Sequence, residues 1–340
     1  MSRKTINKIW GWAAIALAAI AAPLVLGSIY WTSVLTTIVI NVLLAVSLRT
    51  IFLIGEFSLG HVGFMCLGAY ASSLLSMKAG APFGLSLFAG ALMAGLVALG
   101  LGYPFMRVKG IYFVILTVMA SESFRNLAMN WEDLTGGFGG LVGIPAPGML
   151  NIPFLGEVDF GGFNEYYYLT LTVVAFSLFL IHRLERSRLG FTWLAIRETD
   201  KQAAAVGINV LRYKVINFSI ACFFAGLGGA LLAHSEQTIS PQAGSAFGVM
   251  TTMYLLIYMV VGGKSRFTGP VCGAVVLSLV MEFTRPMQEY QPMIVGAIAI
   301  AVVLFFPEGL VSIPEKIGTW FSTASETTAE APVKGSAHKG

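Results

Sequence analysis

Apolar runs of roughly 20 residues recur along this chain between short polar turns, and a run of that length can cross a bilayer as a helix. They cover residues 9–30, 34–54, 64–77, 82–103, 111–129, 166–182, 215–234, 247–261, 267–283 and 292–306. The third is short and borrows part of the polar stretch before it. The first follows Arg3, Lys4 and Lys8 and has the look of a leader. It outruns the about 7–15 residues of a signal-peptide core, so the pattern predicts a retained span. The expected fold is all-α, a polytopic integral membrane protein of about ten transmembrane helices with a re-entrant or broken segment. The transmembrane domain takes residues 1–314. Residues 315–340, rich in Ala, Thr, Glu and Lys, read as a disordered tail.

Charge sorts the turns. Only 11% of the residues are charged, against about 25% in soluble domains, so the placement of each charge carries information. The longest charged segment, 183–214, holds Arg183, Arg186, Arg188, Arg197, Lys201, Arg212 and Lys214 against Glu185, Glu198 and Asp200. Arg107 with Lys109, and Lys264 with Arg266, mark two further basic turns. Residues 130–165 carry Glu132, Asp133, Glu157, Asp159 and Glu165 and no Lys or Arg. The positive-inside rule puts the basic turns and both termini in the cytoplasm and 130–165 outside, with Arg285 a mild exception. Within 183–214 a single long helix would put Asp200 on the face of Trp193 and Ile196. Two short helices fit better, one over roughly 190–198 and one after a Thr199 or Asp200 N-cap that stops at Gly207. Such a helix-turn-helix is a shape another protein can grip. The plainer reading is a solvated loop that only sets topology.

The polar residues inside the spans are the candidates for chemistry. Residues 55–64, from Gly55 to Phe64, are too polar and Gly-rich for a lipid-facing helix. Irregular backbone at membrane depth is buried in protein or lines a wet cavity. Ser58 and His61 there, with Asn41, Thr117 and Glu122 in neighbouring spans, are the candidate lining of a translocation path; the alternative for His61 is a satisfied core histidine supporting a helix break. Arg49, Glu122, Arg125 and Glu282 sit in or near spans, where a charge costs about 2.5–3.5 kcal/mol at the helix centre and needs a partner or water. The segment from Thr135 to Pro145 is glycine-rich but lacks the Gly-Lys-Ser/Thr ending of a phosphate loop. Cys66, Cys222 and Cys272 each lie in an apolar run with no metal or disulfide spacing. No catalytic, cofactor or metal constellation and no nucleic-acid groove is expected.

The motifs resemble one family. Leu189-Gly190, Ala195-Ile196-Arg197-Glu198, Gln202-Ala203-Ala204-Ala205-Val206-Gly207 and Arg212-Tyr213-Lys214 are similar to the cytoplasmic loop of bacterial ABC importer permeases. Gly55-Glu56-Phe57-Ser58-Leu59-Gly60-His61 with Gly68-Ala69-Tyr70, the Thr135–Pro145 segment, residues 262–270 and residues 306–310 resemble further signatures. The family is that of branched-chain amino acid importers, LivH/LivM type, on its LivM side. The resemblance implies an inner-membrane subunit with no ATPase of its own. Its partners would be a second, related permease, two ABC ATPases that grip the loop, and an external solute-binding protein. It implies docking through Arg197, Glu198, Ala203, Ala204 and Gly207. Ala204 stands where the family often has an acidic residue, which removes one ion pair without removing the docking. Urea or another small amide or carboxylic acid is the alternative solute. An ion-coupled secondary transporter is the alternative class, with Glu122 and Glu282 as its coupling acids.

Overall fold

The computed structural model describes residues 19–25, 27–152, 156–242, 245–287, 289–306 and 309–312. The start of the first expected span, residues 9–18, and the tail 315–340 lie outside the described residues. Residues 19–25 are helical, and from there each apolar run becomes a helix. α1 is Ile29–Phe52, α2 His61–Ala79, α3 Phe83–Phe105 and α4 Ile111–Asn130. α5 is Phe163–Glu185, α6 Arg188–Glu198, α7 Asp200–Ala205 and α8 Val210–Glu236. α9 is Val249–Gly262, α10 Thr268–Phe283 and α11 Gln291–Phe305. Two short antiparallel pairs interrupt the all-α fold. β1 (Leu141–Val142) pairs with β4 (Thr238–Ile239), and β2 (Met149–Ile152) with β3 (Gly156–Asp159).

Five of these helices, α1, α2, α3, α5 and α8, are long and apolar enough to cross a membrane. α4 has the length, 20 residues, but carries polar and charged side chains. α9, α10 and α11 have 14, 16 and 15 residues. At about 1.5 Å per residue they reach roughly 21–24 Å, short of a hydrocarbon core of about 30 Å.

α1 and α8 form the centre. α8 packs along α3, α2 and α1, and α1 along α5, α10 and α9. Small residues let the backbones approach. A methyl added at Gly68 would overlap the backbone of Gly226, and one at Gly229 the carbonyl of Met65. Phe218 of α8 then gathers aromatic neighbours, meeting Phe64 edge-on at 5.4 Å and lying 6.1 Å from Phe105 and 6.2 Å from Phe113.

The turns segregate as their charges predict. Lys109 of the α3–α4 turn bonds Asp200 at the start of α7, and Arg49 at the end of α1 bonds the carbonyl of Lys264 in the α9–α10 turn. The basic turns therefore share one end of the bundle. At the other end, β1 from the acidic loop pairs with β4, and Arg125 reaches the Pro241 carbonyl.

Candidate functional site

The break between α1 and α2 is real. The last turns of α1 close with Leu53 N donating to Arg49 O and Gly55 N to Phe52 O, and Gly55 then takes φ +82°, which only glycine adopts without strain. The chain resumes helix at His61. Ser58 Oγ accepts from Gly60 N at 3.3 Å, and Leu59 N donates to Thr117 Oγ1 of α4 at 3.3 Å. A methyl at Gly60 would overlap the Thr117 carbonyl, and one at Gly63 the Ser121 backbone. Thr117 and Ser121 are two small polar residues, one helical turn apart, and they let α4 clamp the break.

His61 is fully enclosed. Its Nε2 lies 2.8 Å from Ser47 Oγ, and that hydroxyl donates to Leu44 O at 2.9 Å. Nε2–H therefore donates to Ser47, and Nδ1 is left with no partner among the described residues. Ser58, His61 and Thr117 thus come together inside the packed bundle. Asn41 is apart from them, with its Nδ2 donating to Ser278 Oγ of α10 at 3.2 Å. Glu122 lies five residues, about 1.4 turns, beyond Thr117 and so toward the other side of α4, paired with Arg125.

The charged loop folds as two helices. Ser187 caps α6 by accepting from Leu189 N at 3.2 Å. Gly190 fits against the Glu185 carbonyl, and Trp193 and Ile196 bury one face of α6 in the bundle. Phe191, Leu194 and Glu198 remain exposed on the other. α7 follows Thr199 and ends where Gly207 N donates to Ala204 O and Ile208 N to Ala203 O, with Gly207 at φ +87°. Of the expected docking residues, Glu198, Ala204 and Gly207 are exposed and Ala203 is buried. Arg197 turns back onto the membrane domain, with its guanidinium 4.4 Å from the Phe52 ring centre. Its Cγ lies 3.5 Å from where a Gly55 Cβ would stand.

A cluster that sequence reasoning missed ties this loop to the break. Lys214 Nζ of α8 donates to Glu56 Oε1 at 3.0 Å and to Asp200 Oδ2 at 3.2 Å. Lys109 Nζ donates to the same Asp200 oxygen at 2.6 Å. The side chains of Lys214 and Glu56 are only 4% and 10% exposed. Burial alone would raise the Asp200 carboxyl, but its bonds to Lys109 and Lys214 outweigh that and hold it below the usual carboxylate range. The Lys109 ammonium is raised by the same hydrogen bond to Asp200. Beside this cluster Arg49 pairs with Glu185, and Lys264 Nζ lies 5.2 Å from the Phe52 ring that Arg197 also covers. An open groove of about 390 Å³ runs between α7 and the α3–α4 turn, lined in part by Arg107, Lys109, Lys201 and Ala204. The only available sequence signal for the cluster was Glu56, an acid inside an otherwise glycine-rich break.

At the other end the Thr135–Pro145 segment is a packed cap. Thr135 Oγ1 donates to Ala128 O at 2.6 Å, and Gly143 N and Ile144 N both donate to Gln237 O at 3.0 Å. Phe138 and Val142 stay exposed. The segments 262–270 and 306–310 also meet, Gly309 fitting against the Gly263 backbone.

Five helices of membrane-crossing length, a glycine-opened break buried among them and a charged helical hairpin fastened to that break define a multi-pass membrane permease. The chain belongs to the family described as "Branched-chain amino acid transport system / permease component", whose model matches residues 30–306. It is 30% identical over 293 residues to the "High-affinity branched-chain amino acid transport system permease protein LivM" of Escherichia coli K12, covering 81% of this chain and 68% of that protein. It is 28% identical over 147 residues to E. coli K12 LivH, a permease of the same named system, covering 43% of this chain and 45% of LivH. The "Ribose import permease protein RbsC" of Bacillus subtilis is 24% identical over 200 residues, 56% of this chain and 58% of that protein. No solved structure matches.

Proposed function

We propose that this chain is the membrane-spanning permease subunit of an ATP-driven importer that moves branched-chain amino acids inward across the bacterial inner membrane. The observation that carries the reading is the fastening of the charged loop to the helix break through Lys214. A loop that only set topology would need charge and no such buried linkage. In this reading the basic end is cytoplasmic and the α6–α7 hairpin docks on an ABC ATPase. Phe191, Leu194, Glu198 and Ala204 face that partner, and Gly207 and Arg197 shape and anchor the hairpin. A second permease completes the membrane unit. A solute-binding protein delivers the amino acid at the opposite end, over the exposed Phe138 and Val142. Closure of the ATPases would push α7, and Lys214 would carry that push to Glu56 and the break.

The secondary-transporter alternative loses ground on the acids it needs. Glu122 is held by Arg125, and Glu282 by Arg285 and Tyr30. The test is reconstitution of the permease pair with its ATPases and binding protein in vesicles. Leucine, isoleucine and valine should stimulate ATP hydrolysis and accumulate, and urea should do neither. Uptake that ignores ATP and collapses with a protonophore would overturn the reading.

A further inference from the structure

α4 is two-faced in a way the other spans are not. Phe113, Thr117, Ser121 and Ala128 form its buried stripe. The opposite stripe, Met119, Ser123, Asn126 and Asn130, follows helical spacing and is exposed. At about 1.5 Å per residue Glu122 and Ser123 lie about 17–18 Å from Ile111 and Asn126 about 22 Å. In a core of about 30 Å these positions fall near the middle and in the half beyond it. The exposed face of α3 at matching depth is Phe88, Leu92, Leu96 and Leu99, which is what lipid accepts.

Glu122 sharpens the contrast. Arg125 Nε and Nη2 both donate to Glu122 Oε2, at 2.9 and 2.5 Å. Oε1 has no partner among the described residues, and the side chain is 31% exposed. Arg125 is itself fixed to the Pro241 carbonyl at 3.0 Å, so it holds the carboxylate in place. Asn126 makes no side-chain hydrogen bond among the described residues. An ion pair with an open carboxylate oxygen, beside a carboxamide without a side-chain partner among the described residues, is costly against hydrocarbon and satisfied by water.

We propose that this face of α4 lines the water-filled route of the solute, with Glu122 Oε1, Ser123 and Asn126 as a weak polar station and Met119 and Ile115 as its apolar continuation. This rests on the importer reading above and names its path. The chemistry suits a small amphipathic zwitterion. Glu122 Oε1 accepts from an α-ammonium, the Asn126 amide donates to an α-carboxylate, and Met119 meets an aliphatic side chain. A station that is exposed on one side suits transit, because tight binding midway would stall release. It also relocates the path from Ser58, His61 and Thr117, which the bundle encloses, to the other side of the helix that clamps them.

The experiment is cysteine accessibility in the assembled transporter, in a chain whose Cys66, Cys222 and Cys272 are replaced by alanine. Asn126→Cys, Ser123→Cys and the lipid-face control Leu96→Cys are treated with a membrane-impermeant, positively charged methanethiosulfonate. Positions 126 and 123 should react, saturating leucine should slow the reaction, and uptake should fall roughly tenfold on modification, as for the loss of a charge-assisted contact. Leu96→Cys should stay unreactive. In the otherwise native chain, Asn126→Leu should cut uptake by a similar factor at unchanged complex recovery, and Asn126→Ser should restore most of it. Unreactive cysteines at 126 and 123 with ATP-driven uptake intact, or wild-type uptake in Asn126→Leu, would overturn the inference. Oxidative cross-linking of 126 between two permeases would assign the face to their contact instead. Loss of ATP dependence in the unmodified parent would instead strike the importer reading.

Discussion

Lys214 Nζ lies 3.0 Å from the carboxylate of Glu56, joining the start of α8 to the break between α1 and α2. Asp200, the first residue of α7, takes the same ammonium at 3.2 Å. One ammonium thereby ties three elements together. Removing one partner of a buried pair leaves a charge without compensation, at roughly 3–5 kcal/mol.

Lys214→Met should therefore lower the unfolding temperature of the purified subunit and uncouple uptake from ATP hydrolysis. The hairpin surface is untouched, so ATPase recovery on affinity capture should stay near normal. Adding Glu56→Gln should return part of the lost stability, because the stranded carboxylate is gone, and a double-mutant cycle measures the coupling. Stabilities that simply add would show that the two groups do not interact.

Gly207 tests the hairpin itself. At φ +87° a β-branched residue is strained by about 1–2 kcal/mol, and nothing stands within 4 Å of its Cβ position, so strain acts alone. Gly207→Val should reach the membrane, recover less ATPase and lose uptake. Gly207→Asn, which tolerates the left-handed region, should be milder. Wild-type uptake in Gly207→Val would mean the loop serves topology only.

Much of this architecture was legible from the chain, and the reason differs by residue. The apolar runs became helices because run length is a local property. Gly207 marked the end of α7 because positive φ is local too, whereas Thr199 holds the N-cap position without capping, its hydroxyl donating to Glu198 O. The Lys214–Glu56 bond was not legible, because its partners are 158 positions apart and charge alone does not name a partner. The same holds for Arg49, which pairs with Glu185 at the end of α5 rather than with Glu122 or Glu282. Arg197 reads from the sequence as a group reaching toward a partner, yet it stacks on Phe52, since nothing local tells which way a long side chain folds. His61 reads as polar and central, and it is both, but its enclosure follows from the fit of Gly60 and Gly63 against α4, which is tertiary.

Orientation is checked by labelling in a chain freed of its own cysteines. Cysteine at the exposed position Phe138 should react with an impermeant maleimide in intact cells, and cysteine at Glu198 only after permeabilisation. The positive-inside rule sets this expectation, because Arg107, Lys109, Lys264 and the α6–α7 hairpin gather at one end. The reverse pattern would place the hairpin outside, beyond the reach of any ATPase.

The clamp on the break gives the sharpest steric prediction. A methyl at Gly60 would run into the backbone oxygen of Thr117, not into a side chain that could swing away. Room can come only from parting α2 from α4, and forcing an extra methyl into a packed core costs about 1–3 kcal/mol. Gly60→Ala should therefore lose stability and uptake together. Thr117→Ala should not rescue it, because the obstructing atoms belong to the main chain. Gly84, near the start of α3, has nothing within 4 Å of its Cβ position. Gly84→Ala should then be neutral or slightly stabilising, since alanine is the better helix former by about 0.8–1.0 kcal/mol. Equal behaviour of the two alanine variants in thermal unfolding and in uptake would mean that α4 does not grip the break at Gly60. The role of α4 would then reduce to its open face.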